Sequence, residues 1–222
     1  MAEIREIMGF RILRGLLGRP EQAAMLASLG AVIAEAPLVR PVTPWGKPMS
    51  VRMTAAGRLG WVIERGRYGY AARHPQTGRP WPPIPACVLA VWRAVAGWPG
   101  DPDCCLVNRY GEGARMGMHR DADEGEAAFA APVVSISLGD PARFRMGGTS
   151  RKGPTESVLL ESGDVVVMGG AARLAYHGID RVLFGQGDLQ GDLQGDLPGD
   201  PPGDLLPGGG RINLTLRVVK SA

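Results

Sequence analysis

Histidine is scarce in this chain, with three in 222 residues at positions 74, 119 and 177. Any metal chemistry has few imidazoles to draw on. Cysteine is equally sparse: Cys87, Cys104 and Cys105 are odd in number and lack a C-x-x-C spacing, which excludes a disulfide framework and a cysteine-built zinc site. No uninterrupted apolar run approaches the roughly 20 residues of a membrane helix, and the N-terminus mixes charges with apolar residues where a signal peptide would carry an apolar core. The expectation is a cytoplasmic protein with no membrane association. Basic residues are missing from one long stretch: residues 185–210 hold five aspartates and no lysine or arginine.

At 45% hydrophobic, the chain has the material for one substantial core. Its formal charge of +3 hides an uneven distribution, since removing the five aspartates of residues 185–210 leaves +8. Residues 1–80 carry 12 Lys/Arg against 5 Asp/Glu, a balance that attracts polyanions through phosphate neutralisation.

Pro20 and Glu21 mark the first turn of a helix. Met25, Leu26, Leu29, Val32 and Ile33 then recur at helical spacing until Pro37 stops it. A second helix is expected over 85–96, with Val88, Leu89, Trp92 and Val95 on one side and Gly97 ending it. From residue 105 the texture changes to short β-type runs punctuated by glycine, at 106–110, 133–138, 158–160, 165–168 and 211–219. These suggest a mainly β fold with flanking α: an eight-stranded jelly roll with the helices buttressing one sheet. The division expected is residues 1–104 as a helical region and lid, and 105–222 as the core. Between Gly187 and Asp204 lies GDLQGDLQGDLPGDPPGD, too poor in large apolar groups to offset its ordering entropy and read as an insertion between two strands.

His119 and Asp121 are two apart, and on an extended strand that spacing points both side chains to one face. A third ligand is expected from His177, which follows the apolar strand 165–168 and precedes a glycine, in preference to His74 in a proline-rich loop. Two histidines and a carboxylate leave three coordination positions open, the arrangement suited to non-haem Fe(II). In the last strand Ile212, Leu214 and Leu216 face one way, while Arg211, Asn213, Thr215 and Arg217 face the other. Arginine matches a carboxylate bidentately, so a dicarboxylate is a natural guest. The two arginines are roughly 20 Å apart at strand rise, so either curvature brings them to one ligand or only one of them binds it.

The segments Asn108-Arg109-Tyr110, HRDADE from His119, PVVSISLG from Pro132, GDVVVMGG from Gly163, YHGI from Tyr176 and the final RINLTLR together resemble the AlkB family of dioxygenases, in the same order and over about residues 37–217. The resemblance implies a double-stranded β-helix with a nucleotide-recognition lid, and cofactors Fe(II), 2-oxoglutarate and O2. It implies that His119, Asp121 and His177 ligate iron, that Arg211 and Arg217 bind the ends of 2-oxoglutarate, and that Asn108, Tyr110 and Asn213 hydrogen-bond it. Met53 and Trp61 resemble walls of a base pocket, Tyr68 and Arg151 backbone-phosphate contacts, and Asp123 and Glu124 the acidic pair at the base edge. The activity implied is oxidative demethylation of N-alkylated bases such as 1-methyladenine and 3-methylcytosine. DNA is the expected partner, single-stranded DNA in particular, with RNA left open, and the protein is expected to be a monomer without an obligate protein partner. Two readings compete with it: a dioxygenase of this fold acting on RNA, protein or a small molecule, and a non-catalytic jelly-roll binding module. Two features depart from the family pattern, Met168, where the best-known bacterial member has tryptophan, and the repeat within residues 185–210.

Overall fold

A computed structural model describes residues 3–64, 66–187, 205–206 and 208–219. Most of the low-complexity repeat lies outside the described residues. Among the described residues no helix is long and apolar enough to cross a membrane.

The chain opens with a hairpin, β1 (Glu3–Ile7) and β2 (Phe10–Arg14), followed by helix α1 (Arg19–Glu35). Proline in the first turn of α1 lacks only an N–H that would be orphaned there, and Pro37 cannot continue the helix beyond Ala36. Three strands come next, β3 (Val51–Gly57), β4 (Gly60–Glu64) and β5 (Arg67–Ala71). Helix α2 (Ala86–Val95) is closed by Gly97 at φ +62°, a left-handed turn that glycine adopts without steric penalty. Its buried side is Val88, Val91, Trp92 and Val95, so Val91 takes the place expected of Leu89, which is half-buried.

Eight strands complete the body: β6 (Cys104–Tyr110), β7 (Met116–His119), β8 (Val133–Gly139), β9 (Ala142–Gly147), β10 (Thr155–Leu160), β11 (Val165–Met168), β12 (His177–Val182) and β13 (Arg211–Arg217). They divide four and four, with β11-β8-β13-β6 in one sheet and β10-β9-β12-β7 in the other, which is the expected jelly roll. The first sheet does not end with those four. β2 pairs with β11 on one side and β3 with β6 on the other, giving a seven-stranded sheet in the order β1-β2-β11-β8-β13-β6-β3. The N-terminal segment therefore contributes strands as well as helices. β4 and β5 form a separate two-stranded sheet.

Two apolar layers flank the long sheet. Leu214, Leu216, Ile212, Ile136 and Val107 pack with Leu26, Leu29 and Trp92 of the helices. The opposite side faces the second sheet through Phe10, Ile12, Val133, Phe144 and Met146. β13 lies between β6 and β8 and is buried on both faces, its alternating polar residues turned between the two sheets. Leu214→Ala, on the helix side of that strand, is expected to cost about 2–5 kcal/mol. Urea denaturation measures the loss, and metal binding by the variant that stays folded should be preserved, because Leu214 does not face the intersheet cavity.

Candidate active site

Between the two sheets lies a cavity of about 330 Å³, lined by polar side chains of β6, β13 and the β7 end, with Met53 of β3 and Trp61 and Tyr68 of β4 and β5 among its walls. Strand pairing explains the convergence. Tyr110 is directly opposite Arg211 and Asn108 opposite Asn213 across β6 and β13, while Met53 of β3 is opposite Asn108. Residues opposed in neighbouring strands share a face, so a polar row that looks linear in sequence becomes a patch two-dimensionally arrayed on the sheet.

On the facing sheet His119 of β7 and His177 of β12 are direct cross-strand partners, with ring centroids 4.6 Å apart. β7 stops at His119, so Asp121 stands just beyond the strand and not on it as the two-residue spacing suggests. Ligand atoms of His119, Asp121 and His177 nevertheless all lie within 4.8 Å of one another. Each imidazole is oriented by the backbone: His119 Nδ1 donates to Gly117 O at 2.9 Å and His177 Nδ1 to Ala175 O at 3.0 Å. A carbonyl only accepts, so both protons sit on Nδ1 and both Nε2 lone pairs are free toward the centre. Nε2 of His119 is 3.8 Å from Asp121 Oδ1, and Nε2 of His177 is 3.9 Å from Oδ2. Burial, reinforced by the neighbouring His119, pulls the His177 pKa down to about 4, so this ring stays neutral at physiological pH, as a metal ligand must. Burial works to raise the Asp121 carboxyl, but Arg217 and the two histidines outweigh it and hold it well below the usual carboxylate range.

Arg217 Nη2 donates to Asp121 Oδ1 at 2.8 Å, while Asp121 Oδ2 is buried without any partner. A desolvated carboxylate oxygen costs several kcal/mol unless a cation meets it, and two imidazole lone pairs converge on the same point. The donor set fits a divalent metal. His74 is not part of it: its Nε2 donates to Pro37 O at 2.8 Å and its Nδ1 accepts the N–H groups of Gln76 and Thr77, which satisfies both nitrogens.

Arg211 is fully buried on the cavity wall, its Nη2 donating to Ser137 Oγ at 2.6 Å. Its Nε is buried without a hydrogen-bond partner, and Tyr110, Asp164 and Asp140 are its electrostatic neighbours. Burial draws its pKa down to about 10, so it remains charged at neutral pH. A buried guanidinium with an unused N–H on a cavity wall is suited to an anionic guest. Asn213 is held by Ser135 Oγ at 2.7 Å and accepts the Thr215 hydroxyl at 2.9 Å, and Asn108 Oδ1 is buried and free. Both arginines line the same cavity despite their spacing along the strand.

The lid residues arrive in different roles. Trp61 stacks on Tyr68 at 5.4 Å and 17°, and its Nε1 donates to Asp123 Oδ2 at 3.1 Å. Glu124 is buried and turned inward: Tyr70 Oη donates to its Oε1 at 2.8 Å, and Arg173 and Arg217 lie within 3.4 and 3.5 Å. Arg151 sits in an exposed turn between β9 and β10, outside the cavity lining. Tyr70 and Arg173 were invisible to motif reading. Arg173 donates to the backbone oxygens of Asp121 and Ala131, bracing the loop that presents the carboxylate. Met168 lines the cavity, in contact with the layer that includes Phe10 and Phe144.

The description "2OG-Fe(II) oxygenase superfamily" matches residues 9–217. The chain is 47% identical to an alpha-ketoglutarate-dependent dioxygenase AlkB homolog of Caulobacter vibrioides over 97% of its own length and 90% of the relative's. It is 44% identical to the alpha-ketoglutarate-dependent dioxygenase AlkB of Salmonella typhimurium, covering 80% and 82%. The chain belongs to the AlkB family of 2OG-Fe(II) oxygenases. The solved structure of OsALKBH1 superposes with a TM-score of 0.77 at 27% identity, covering 97% of this chain and all of the other. This AlkB-family protein is an enzyme, a dioxygenase that uses Fe(II) and 2-oxoglutarate.

One backbone approach sets the spacing of the two histidine strands. A Cβ on Gly178 would lie 2.6 Å from Met116 O and 3.0 Å from Gly117 O, so β12 reaches β7 only because residue 178 is glycine. Gly178→Ala is expected to push the strands apart and weaken Fe(II) binding by about tenfold, measured by anaerobic titration.

Proposed function

We propose that the cavity demethylates N-alkylated bases in nucleic acid, with 1-methyladenine and 3-methylcytosine as substrates and single-stranded DNA as the favoured partner. The observation that carries the reading is the coincidence, in one cavity, of a triad carboxylate with one unpartnered oxygen, a buried guanidinium with an unpartnered Nε and a stacked aromatic wall with a carboxylate pinned beside it. His119, Asp121 and His177 hold Fe(II), with Asp121 Oδ2 as the free carboxylate donor. Arg211 takes the distal carboxylate of 2-oxoglutarate. Arg217, already engaged with Asp121, marks the end beside the metal, and Asn108, Tyr110 and Asn213 supply the polar surface between. When bound, iron with 2-oxoglutarate and O2 supplies the oxidation, giving succinate, CO2 and formaldehyde.

The rest is the work of side chains. Trp61 and Met53 wall the base, and Asp123, oriented by the Trp61 indole N–H, faces it with negative charge. A base methylated at N1 or N3 is cationic, so an aromatic face and a carboxylate favour it over the unmodified base. Tyr68, half-exposed on the stack, and Arg151 on the surface serve the strand outside the cavity. Glu124 lines the cavity with Asp123 and is also tied to the lid and to Arg217. Desolvation raises the Tyr70 pKa, so the phenol keeps its proton and donates a hydrogen bond to Glu124, while Arg217 Nη1 donates to the same phenol oxygen at 3.2 Å. The lid is thereby tied to the arginine at the metal. Reaching the cavity requires a base to leave its stack, which is cheapest in a single strand. The protein acts as a monomer in the cytoplasm.

With Fe(II), ascorbate, O2 and 2-oxoglutarate, the protein is expected to release formaldehyde from single-stranded DNA carrying 1-methyladenine, and Asp121→Ala to abolish the release together with Fe(II) binding. Arg211→Met should raise the KM for 2-oxoglutarate by roughly 100-fold, the order expected when one partner of a buried charge pair is truncated. Succinate formed without formaldehyde on every alkylated nucleic acid tried would leave the oxygenase intact and remove the substrate assignment.

A further inference from the structure

Trp45 is the most exposed large hydrophobic side chain among the described residues, at 78%, and it joins neither core layer nor any ring pair. A single exposed apolar residue needs no explanation in general. This one is presented by a built turn. Gly46 N donates to Thr43 O at 2.9 Å, Thr43 N to Lys47 O at 2.9 Å, and Lys47 N to Thr43 Oγ1 at 3.1 Å. Pro44 presets the backbone, and Gly46 at φ +76° takes the left-handed position that closes such a turn. Below it, Met49 N donates to Pro41 O at 2.9 Å, and Val42 bridges to Pro48. The indole is therefore carried at the apex of a hydrogen-bonded hairpin whose conformation is fixed in advance.

The apex also stands beside the catalytic mouth. Met49, four residues on, lines the main cavity. A Cβ at Gly66 would lie 4.0 Å from Pro44 Cβ, so the Trp45 turn meets the tip of the β4-β5 hairpin that carries the Trp61–Tyr68 stack. A second cavity, of about 200 Å³, is shared by Arg40, Pro41 and Val42 of the stem and by Met53 and Trp61 of the base pocket. The surroundings are mainly cationic: residues 36–63 contain Arg40, Lys47, Arg52 and Arg58 and no acidic residue, and Arg40, Lys47 and Arg67 are exposed, with Glu64 opposite Arg67 as the one nearby acid in the β4-β5 hairpin.

We propose that Trp45 is a stacking platform for a nucleobase flanking the one in the cavity, with Arg40, Lys47 and Arg67 neutralising the adjoining phosphates. The inference rests on the nucleic-acid reading of the cavity and adds to it a second base site outside the catalytic pocket. Every base offers a π-face, so the platform binds without reading sequence and contributes only to substrates that extend beyond the lesion. Because the turn is pre-organised, little ordering entropy opposes the contact.

The test compares Trp45→Ala and Trp45→Phe with the unaltered protein on two substrates, a single-stranded 12-mer with a central 1-methyladenine and the mononucleotide 1-methyl-dAMP, with binding to unmodified oligothymidylate followed by tryptophan fluorescence. Trp45→Ala is expected to raise the KM for the 12-mer roughly tenfold, to leave kcat and the mononucleotide rate unchanged, and to remove most of the fluorescence quenching; Trp45→Phe recovers most of the KM. Equal KM values for the 12-mer in the unaltered protein and Trp45→Ala, or equal losses on both substrates, would overturn the platform while leaving the demethylase reading standing. An unchanged KM accompanied by loss of a dimer on size exclusion would assign Trp45 to a second copy of the chain and overturn it equally. Absence of formaldehyde from all nucleic acids with the unaltered protein removes the parent reading, and the platform with it.

Discussion

Two guanidiniums buried on one strand set the terms for everything around them. Charge inside a protein is tolerated only where opposite charge or a dense set of hydrogen bonds meets it. Arg217 is met at close range by Asp121 and Glu124, whereas the hydrogen bonds of Arg211 go to a serine hydroxyl and to backbone oxygens, with Asp164 and Asp140 as its carboxylate neighbours. The asymmetry distinguishes their parts. The paired arginine is a fixture of the metal end, holding the triad carboxylate ionised with one oxygen committed and the other free. The other keeps an unused N–H on the cavity wall, which is why we assign it the distal carboxylate of the cosubstrate.

The same economy of partners runs through the metal end. Asp121 accepts Arg217 through one oxygen, its backbone carbonyl accepts Arg173, and Arg173 also meets Glu124, which receives the Tyr70 phenol from the lid. A single connected network thus spans the β4-β5 sheet, the loop after β7 and the end of β13. Networks of this kind are rigid when fully satisfied and costly when broken. The lid strand that carries the aromatic wall is in register with the metal site because both lean on Arg217.

Much of the site was legible in the linear sequence, for a definite reason. The alternation in RINLTLR put arginine, asparagine, threonine and arginine on one side of a strand, and the resemblance to the AlkB family, more than the alternation itself, marked that side as part of the site. His177 could be preferred to His74 from the adjoining glycine, and Gly178 does permit the close strand approach. Asp121 shows the limit of the method. A period of two places it on the strand with His119, yet the strand ends one residue earlier and the carboxylate reaches the site from a loop braced by Arg173. Glu124, read from its place beside Asp123 as a partner of the base, lines the cavity but also takes hydrogen bonds and charge from Tyr70, Arg173 and Arg217, which sequence could not foresee. Two adjacent residues in a loop have no fixed relation between their directions.

The sequence by itself determined the chemistry available: two imidazoles and a carboxylate, two arginines on the polar row of a strand, and aromatic residues in a basic N-terminal half. Those are properties of composition and of period, which local backbone geometry preserves. Only the tertiary structure decided that β1, β2 and β3 extend the core sheet, that Tyr70 and Arg173 belong to the site, and that Trp45 stands uncovered at its edge. Strand pairing, the direction of a loop side chain and exposure all depend on which distant segments arrive alongside, and no local pattern encodes that arrival.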